Sequence, residues 1–188
     1  MAAKRTNNKA LMQLQDKHRV AILAAYALAL HGFESLLPTP IPWLKLGLAN
    51  IITLVALILY GFRTALLVTL IRVVLASILI GTFLGPAFIL STGGGLASVI
   101  AMGLSIKLFK NLFSTVGISL IGALFHNIAQ LSLAYFLFIQ RIEAVLIISP
   151  IIILIGSVTG IVNGIISDIL IKNLLKKDNE KIQNVSEG

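Results

Sequence analysis

The sequence predicts an all-α integral membrane protein, a polytopic bundle of six transmembrane helices, on three observations. Hydrophobic residues make up 57% of the 188 positions and charged residues 12%, with a mean hydropathy of +1.00; soluble domains sit nearer 45–50% apolar and roughly 25% charged. The apolar residues fall into six runs, most of them close to the ~20 helical residues that cross a hydrocarbon core. The basic residues gather in the short flanks between those runs. In a soluble protein the net charge of +8 would suggest nucleic acid. Clustered in flanks, it reads instead as the positive-inside bias, and no nucleic-acid partner is expected. The chain has no cysteine, which excludes disulfides, thiol nucleophiles and cysteine metal sites. No small-residue cleavage site follows a short apolar core, so the N-terminus is not read as a cleavable signal.

Residues 1–19 form a basic tail. The first span runs from Val20 to Leu37, with Ala21, Ala25 and Ala29 at i, i+4 and i+8, a stripe of small side chains on which another helix packs closely in lipid. His31 and Glu34 lie near its far end, either touching a ligand or merely interfacial. The stretch LPTPIPWLKLGLANI (37–51) follows. Pro38, Pro40 and Pro42 remove backbone donors and fix φ, so residues 37–46 are expected to be an extended lid. The second helix, Leu46 to Tyr60, is short for a span and is expected to be steep or to begin in a re-entrant turn. The third runs from Thr64 to Leu84 and is broken by Gly85-Pro86. The fourth, about Ala87 to Ile106, contains Gly93-Gly94-Gly95, the fifth spans about Ser114 to Ile139, and the sixth spans about Ala144 to Ile171. The membrane domain is thus residues 20–172, and a charged tail, 173–188, is expected to be disordered at its end.

Six spans put both termini on one side. Twelve basic residues flank that side and only Lys45 and Arg141 the other. The termini are therefore expected in the cytoplasm of a bacterial cell, and the proline-rich lid outside.

Polar residues inside the spans are the candidate site. Arg72 lies near mid-membrane; it either meets an anionic ligand or an internal polar network, or snorkels to the interface. His126, Asn127 and Gln130 form one polar face of the fifth helix, suited equally to ligand contacts and to bonding between helices. Ser91, Thr92 and Gly93–Gly95 are open to two readings, local unwinding beside a cavity or close helix packing. Gly156, Gly160 and Gly164 read as a packing stripe. Asn163 and Asp168 are placed toward the cytoplasmic end, with Asp168 paired to Lys172 at i+4. No histidine–carboxylate cluster has metal-ligand spacing, and the Gly-Lys-[Ser/Thr] ending of a nucleotide loop is absent.

The strings LGLANIITL (46–54), Arg72, STGGGLASVIAM (91–102) and GALFHNIAQL (122–131) resemble, over about residues 20–172, the family of heptaprenyl diphosphate synthase component I, also called the Gx transporter family. That family is similar in architecture to the S components of energy-coupling factor (ECF) transporters. The resemblance implies a substrate-binding membrane subunit that holds a micronutrient or small molecule near the extracellular face, beneath the loop between helices one and two. It implies ligand contacts from Trp43, Lys45, Gly47, Asn50, Arg72, Thr92, Gly94, His126, Asn127 and Gln130. It also implies docking of a membrane coupling protein on Ala21, Ala25 and Ala29, with ATP consumed by partner ATPase subunits and no cofactor of the chain's own.

The enzymatic name meets an obstacle in the residues. Prenyl diphosphate synthases hold Mg²⁺-diphosphate through clustered carboxylates, whereas this chain has seven acidic residues, no two of them adjacent and no DDxxD motif. Catalysis by this chain alone is not expected. The alternative is a non-catalytic accessory subunit in isoprenoid or quinone metabolism, or in flavin- or quinone-linked extracellular electron transfer.

Overall fold

A computed structural model describes the backbone of residues 2–35, 47–109 and 112–186, and side chains within residues 17–34, 47–109, 112–177 and 179–180. The lid stretch 37–46 lies outside the described residues. Among the described residues six α-helices make the fold: α1 (Ala2–Ser35), α2 (Ala49–Tyr60), α3 (Phe62–Ile80), α4 (Pro86–Phe109), α5 (Thr115–Ala134) and α6 (Ile142–Ser186), with a π-helical turn, Tyr135–Ile139, after α5. Among the described residues, α3, α4, α5 with its π turn, and α6 are long and apolar enough to cross a membrane. Large apolar side chains stand exposed around the bundle, Leu79, Leu84, Ile147 and Leu154 among them, as expected of a surface whose solvent is lipid. The chain is a multi-pass membrane protein.

Chain composition explains where the helices stop. Gly81, at φ +76°, donates to Ile78 O, and Thr82 N–H donates to Ser77 O at 2.8 Å. That pair of bonds is a Schellman ending, so α3 stops four residues before the expected Leu84. Pro86 then occupies the first turn of α4, where its missing donor costs nothing. Pro150 inside α6 removes the partner of Leu146 O, and the Ser149 hydroxyl fills the gap at 3.2 Å. Both polar tails continue as helix, α1 from Ala2 and α6 through Ser186. Residues 173–186 of the charged tail thus extend α6, with the i,i+4 pair Lys176–Glu180 on it, and 187–188 lie outside the described residues.

The short helix α2 is the centre of the bundle. It packs against α1, α3, α4 and α6, and its residues 49 and 51–57 are buried. A helix apolar on all sides is one that protein surrounds. Twelve residues rise only about 18 Å, so the head of α2 is recessed into the bundle. Its first residues are pinned there: Asn163 Nδ2 donates to Gly47 O at 3.1 Å, and Ser167 Oγ to Ile51 O at 3.4 Å. α4, α5 and α6 form a second group in which glycines bring the backbones close. A Cβ on Gly160 would lie 2.7 Å from Ala123 Cβ, and one on Gly164 2.7 Å from Val116 Cα. The sixth-helix stripe therefore packs on α5.

Candidate functional site

A cavity of about 260 Å³ opens among α1, α3, α4, α5, α6 and the head of α2. Six of the expected ligand residues line it: Gly47, Asn50, Arg72, His126, Asn127 and Gln130. They come from separate segments of the chain, and the fold brings them to one space.

Arg72 comes from the middle of α3, ten residues past Phe62 and hence ~15 Å along the axis. It is 7% exposed and does not snorkel. Its Nε is buried without a hydrogen-bond partner among the described residues. Glu34, near the end of α1, is 2% exposed and exerts an electrostatic pull on the guanidinium. The carboxylate also accepts the Gly47 N–H at 2.5 Å. Gly47 has φ +70°, a left-handed conformation that costs other residues roughly 1–2 kcal/mol. One residue thus joins three helices, with its N–H on Glu34 of α1 and its carbonyl on Asn163 of α6.

The glycine triplet supports the wall without being part of it. α4 runs through it unbroken, so of the two sequence readings the structure has close packing. A Cβ on Gly94 would lie 2.9 Å from both His126 Cε1 and Gln130 Cγ. One on Gly95 would lie 3.0 Å from Thr69 Cγ2 and 4.0 Å from Arg72 Nη2, and one on Gly93 would collide with Leu133 Cδ1. The missing side chain of Gly94 is therefore the seat of two polar groups that face the cavity. Gly94 stands behind His126 and Gln130 and does not line the space, nor does Thr92, whose hydroxyl donates to Phe88 O at 2.7 Å within its own helix. Gly156 on α6 makes similar room but itself lines the cavity, and a Cβ there would collide with the Asn127 amide. That amide nitrogen reaches Ile152 O at 3.5 Å.

Trp43 and Lys45 lie outside the described residues. Ala21, Ala25 and Ala29 are all exposed on α1, while Ala24, Ala27, His31 and Glu34 are buried on its other side. Thr159, Gly156 and Asn163 line the cavity, beyond the residues that the sequence puts forward as ligand contacts. Asn163, which the sequence places toward the cytoplasmic end of the sixth helix, also reaches the cavity, where its amide donates to Gly47 O. The available signal was an amide one residue before Gly164 on a glycine-flanked face. His31 and Glu34 resolve toward the cavity wall. Asp168 pairs with Lys172 at 2.7 Å, accepts from Thr115 at 3.0 Å, and ties α6 to the start of α5 away from the cavity.

A solved S component of a bacterial ECF transporter has a similar fold, with a TM-score of 0.67 and 21% identity over 87% of this chain and 97% of that one. No curated protein matches the sequence. The family model described as heptaprenyl diphosphate synthase component I matches residues 23–170, the whole apolar bundle, and the chain therefore belongs to that family.

Proposed function

We propose that this chain is the membrane-embedded substrate-binding subunit of an ECF-type transporter, taking up a small molecule or micronutrient from outside a bacterial cytoplasmic membrane. The observation that carries the reading is Arg72: a buried guanidinium on a cavity wall whose Nε has no hydrogen-bond partner among the described residues. Isolated buried charge costs several kcal/mol, and charged groups inside membrane proteins commonly mark ligand or ion pathways. The shared fold of a solved S component supports the same role. On this reading both termini face the cytoplasm, and residues 37–46 close the cavity from outside with Trp43 and Lys45 contributing contacts. The exposed alanine stripe of α1 docks a membrane coupling protein, and partner ATPase subunits supply the energy.

Three measurements test it. Affinity-tagged protein should co-purify with a coupling protein and ATPases, and replacement of Ala25 by tryptophan should abolish that association while leaving ligand binding intact. Uptake that persists after deletion of every ECF coupling and ATPase gene would overturn the proposal. Trp43→Ala and Asn50→Ala should each weaken ligand binding without altering membrane insertion.

The family description motivates a second reading, a non-catalytic partner of a soluble prenyl diphosphate synthase. It requires a lipid opening between helices. Native mass spectrometry separates the two, since a bound polyprenyl species supports the accessory role and a bound water-soluble metabolite supports transport.

A further inference from the structure

We infer that the cavity takes a compact organic monocarboxylate, whose carboxylate pairs with Arg72 and whose own N–H or O–H group donates to Asn127; this rests on the substrate-binding reading above. Arg72 is 7% exposed, lines the cavity and holds its Nε without a hydrogen-bond partner among the described residues. A guanidinium presents its donors as a planar fork, which two coplanar oxygens satisfy together.

Charge limits the anion. The carboxylate of Glu34 lies on the same wall, already accepting the Gly47 N–H. Among the described residues that line the cavity, Arg72 is the one fixed cation and Glu34 the one fixed anion, a balance that suits a singly charged ligand. A diphosphate, or a phosphomonoester at nearly two charges, would place unpaired anion beside Glu34 in a medium that screens poorly. Size limits the body. The cavity, about 260 Å³, lies below the ~300–1,000 Å³ of drug-sized sites, which favours a compact body over a chain of many isoprene units.

Asn127 supplies the second contact. Its Nδ2 is directed to Ile152 O, which leaves Oδ1 as an acceptor on the cavity wall. Gly156 leaves the room that this amide needs, because any side chain there would occupy its position.

The test uses the full-length protein in detergent micelles, with binding read by calorimetry and thermal shift. The probes are matched pairs that carry such a donor, 4-hydroxybenzoate with 4-hydroxybenzamide and N-acetylglycine with N-acetylglycinamide, then orotate, with phenyl phosphate and farnesyl diphosphate as the competing anions. Carboxylates are expected to bind and stabilise the protein, and their carboxamides to do neither. Arg72→Gln should weaken carboxylate binding about 30-fold or more, with partial retention in Arg72→Lys, and Asn127→Ala should weaken it about 10-fold. The proposal is overturned if no carboxylate binds, if carboxamides bind equally well, if a phosphate or diphosphate is preferred, or if folded Arg72→Gln binds like the parent. The parent protein's discrimination within each pair needs no variant, so misfolding cannot hide the answer. Loss of association with coupling subunits would overturn the transporter reading alone, and loss of carboxylate selectivity would overturn the ligand class alone.

Discussion

Glu34 carries two tasks at once, balancing the charge of Arg72 and holding the head of α2 through Gly47. Hydrogen bonds to charged groups contribute about 1.5–3 kcal/mol. Glu34→Ala is therefore expected to lower stability by about that amount in thermal unfolding, and Glu34→Gln, which keeps an acceptor, by less. Glycines give a sharper contrast. At Gly156 a methyl would strike the Asn127 amide, so Gly156→Ala should cost about 1–3 kcal/mol and weaken ligand binding as well. A methyl added at Gly32, on the same helix as Glu34, would have nothing within 4 Å among the described residues, and Gly32→Ala should be neutral or stabilising by up to ~1 kcal/mol. Equal losses at the two sites would show that helix propensity, and not the neighbouring side chain, sets the outcome. Residue type alone pointed to Arg72, since an arginine within an apolar run demands an explanation. It did not point to Asn163, because an isolated amide on a glycine-rich helix has the same appearance whether it bonds a neighbour or a ligand.

At the scale of elements, close approach matters more than side-chain hydrogen bonding. Ser119 Oγ donates to Gly160 O at 2.7 Å across the α5–α6 contact. Such bonds average about 0.6 kcal/mol in membrane proteins. A methyl at Gly164 would instead lie 2.7 Å from the Val116 backbone, which cannot rotate away. Thermal unfolding should therefore rank Gly164→Ala as clearly more destabilising than Ser119→Ala; the reverse order would mean that α5 and α6 part easily. The glycine spacing made this stripe legible in advance. The triplet on α4 was less so: three glycines permit unwinding or close packing alike, and only the side chains of α3 and α5 facing them decide which.

For the whole molecule, the even number of helices and the basic flanks make a topology that can be tested directly. The chain has no cysteine, so single cysteines can be introduced without background labelling. A membrane-impermeant maleimide applied to intact cells should label Gln140→Cys, on the turn before α6, and should label Lys177→Cys only after the membrane is opened. Labelling in the opposite pattern would invert the assignment of the lid to the outside.

Class, helix number and most helix positions follow from the sequence because they depend on the local content of each segment: enough apolar residues to span, prolines and glycines to stop a helix, basic residues to orient it. Six of the cavity residues were legible for the same reason, as polar groups or glycines that break an otherwise apolar pattern. What the tertiary structure decided is which of those groups meet. The short α2 sits recessed and surrounded, which brings Gly47 to both Glu34 and Asn163. Glycines on α4 and α6 set the distance at which His126, Gln130 and Asn127 can stand. Those relations join distant parts of the chain, and they arise from packing distances between backbones that no single segment contains.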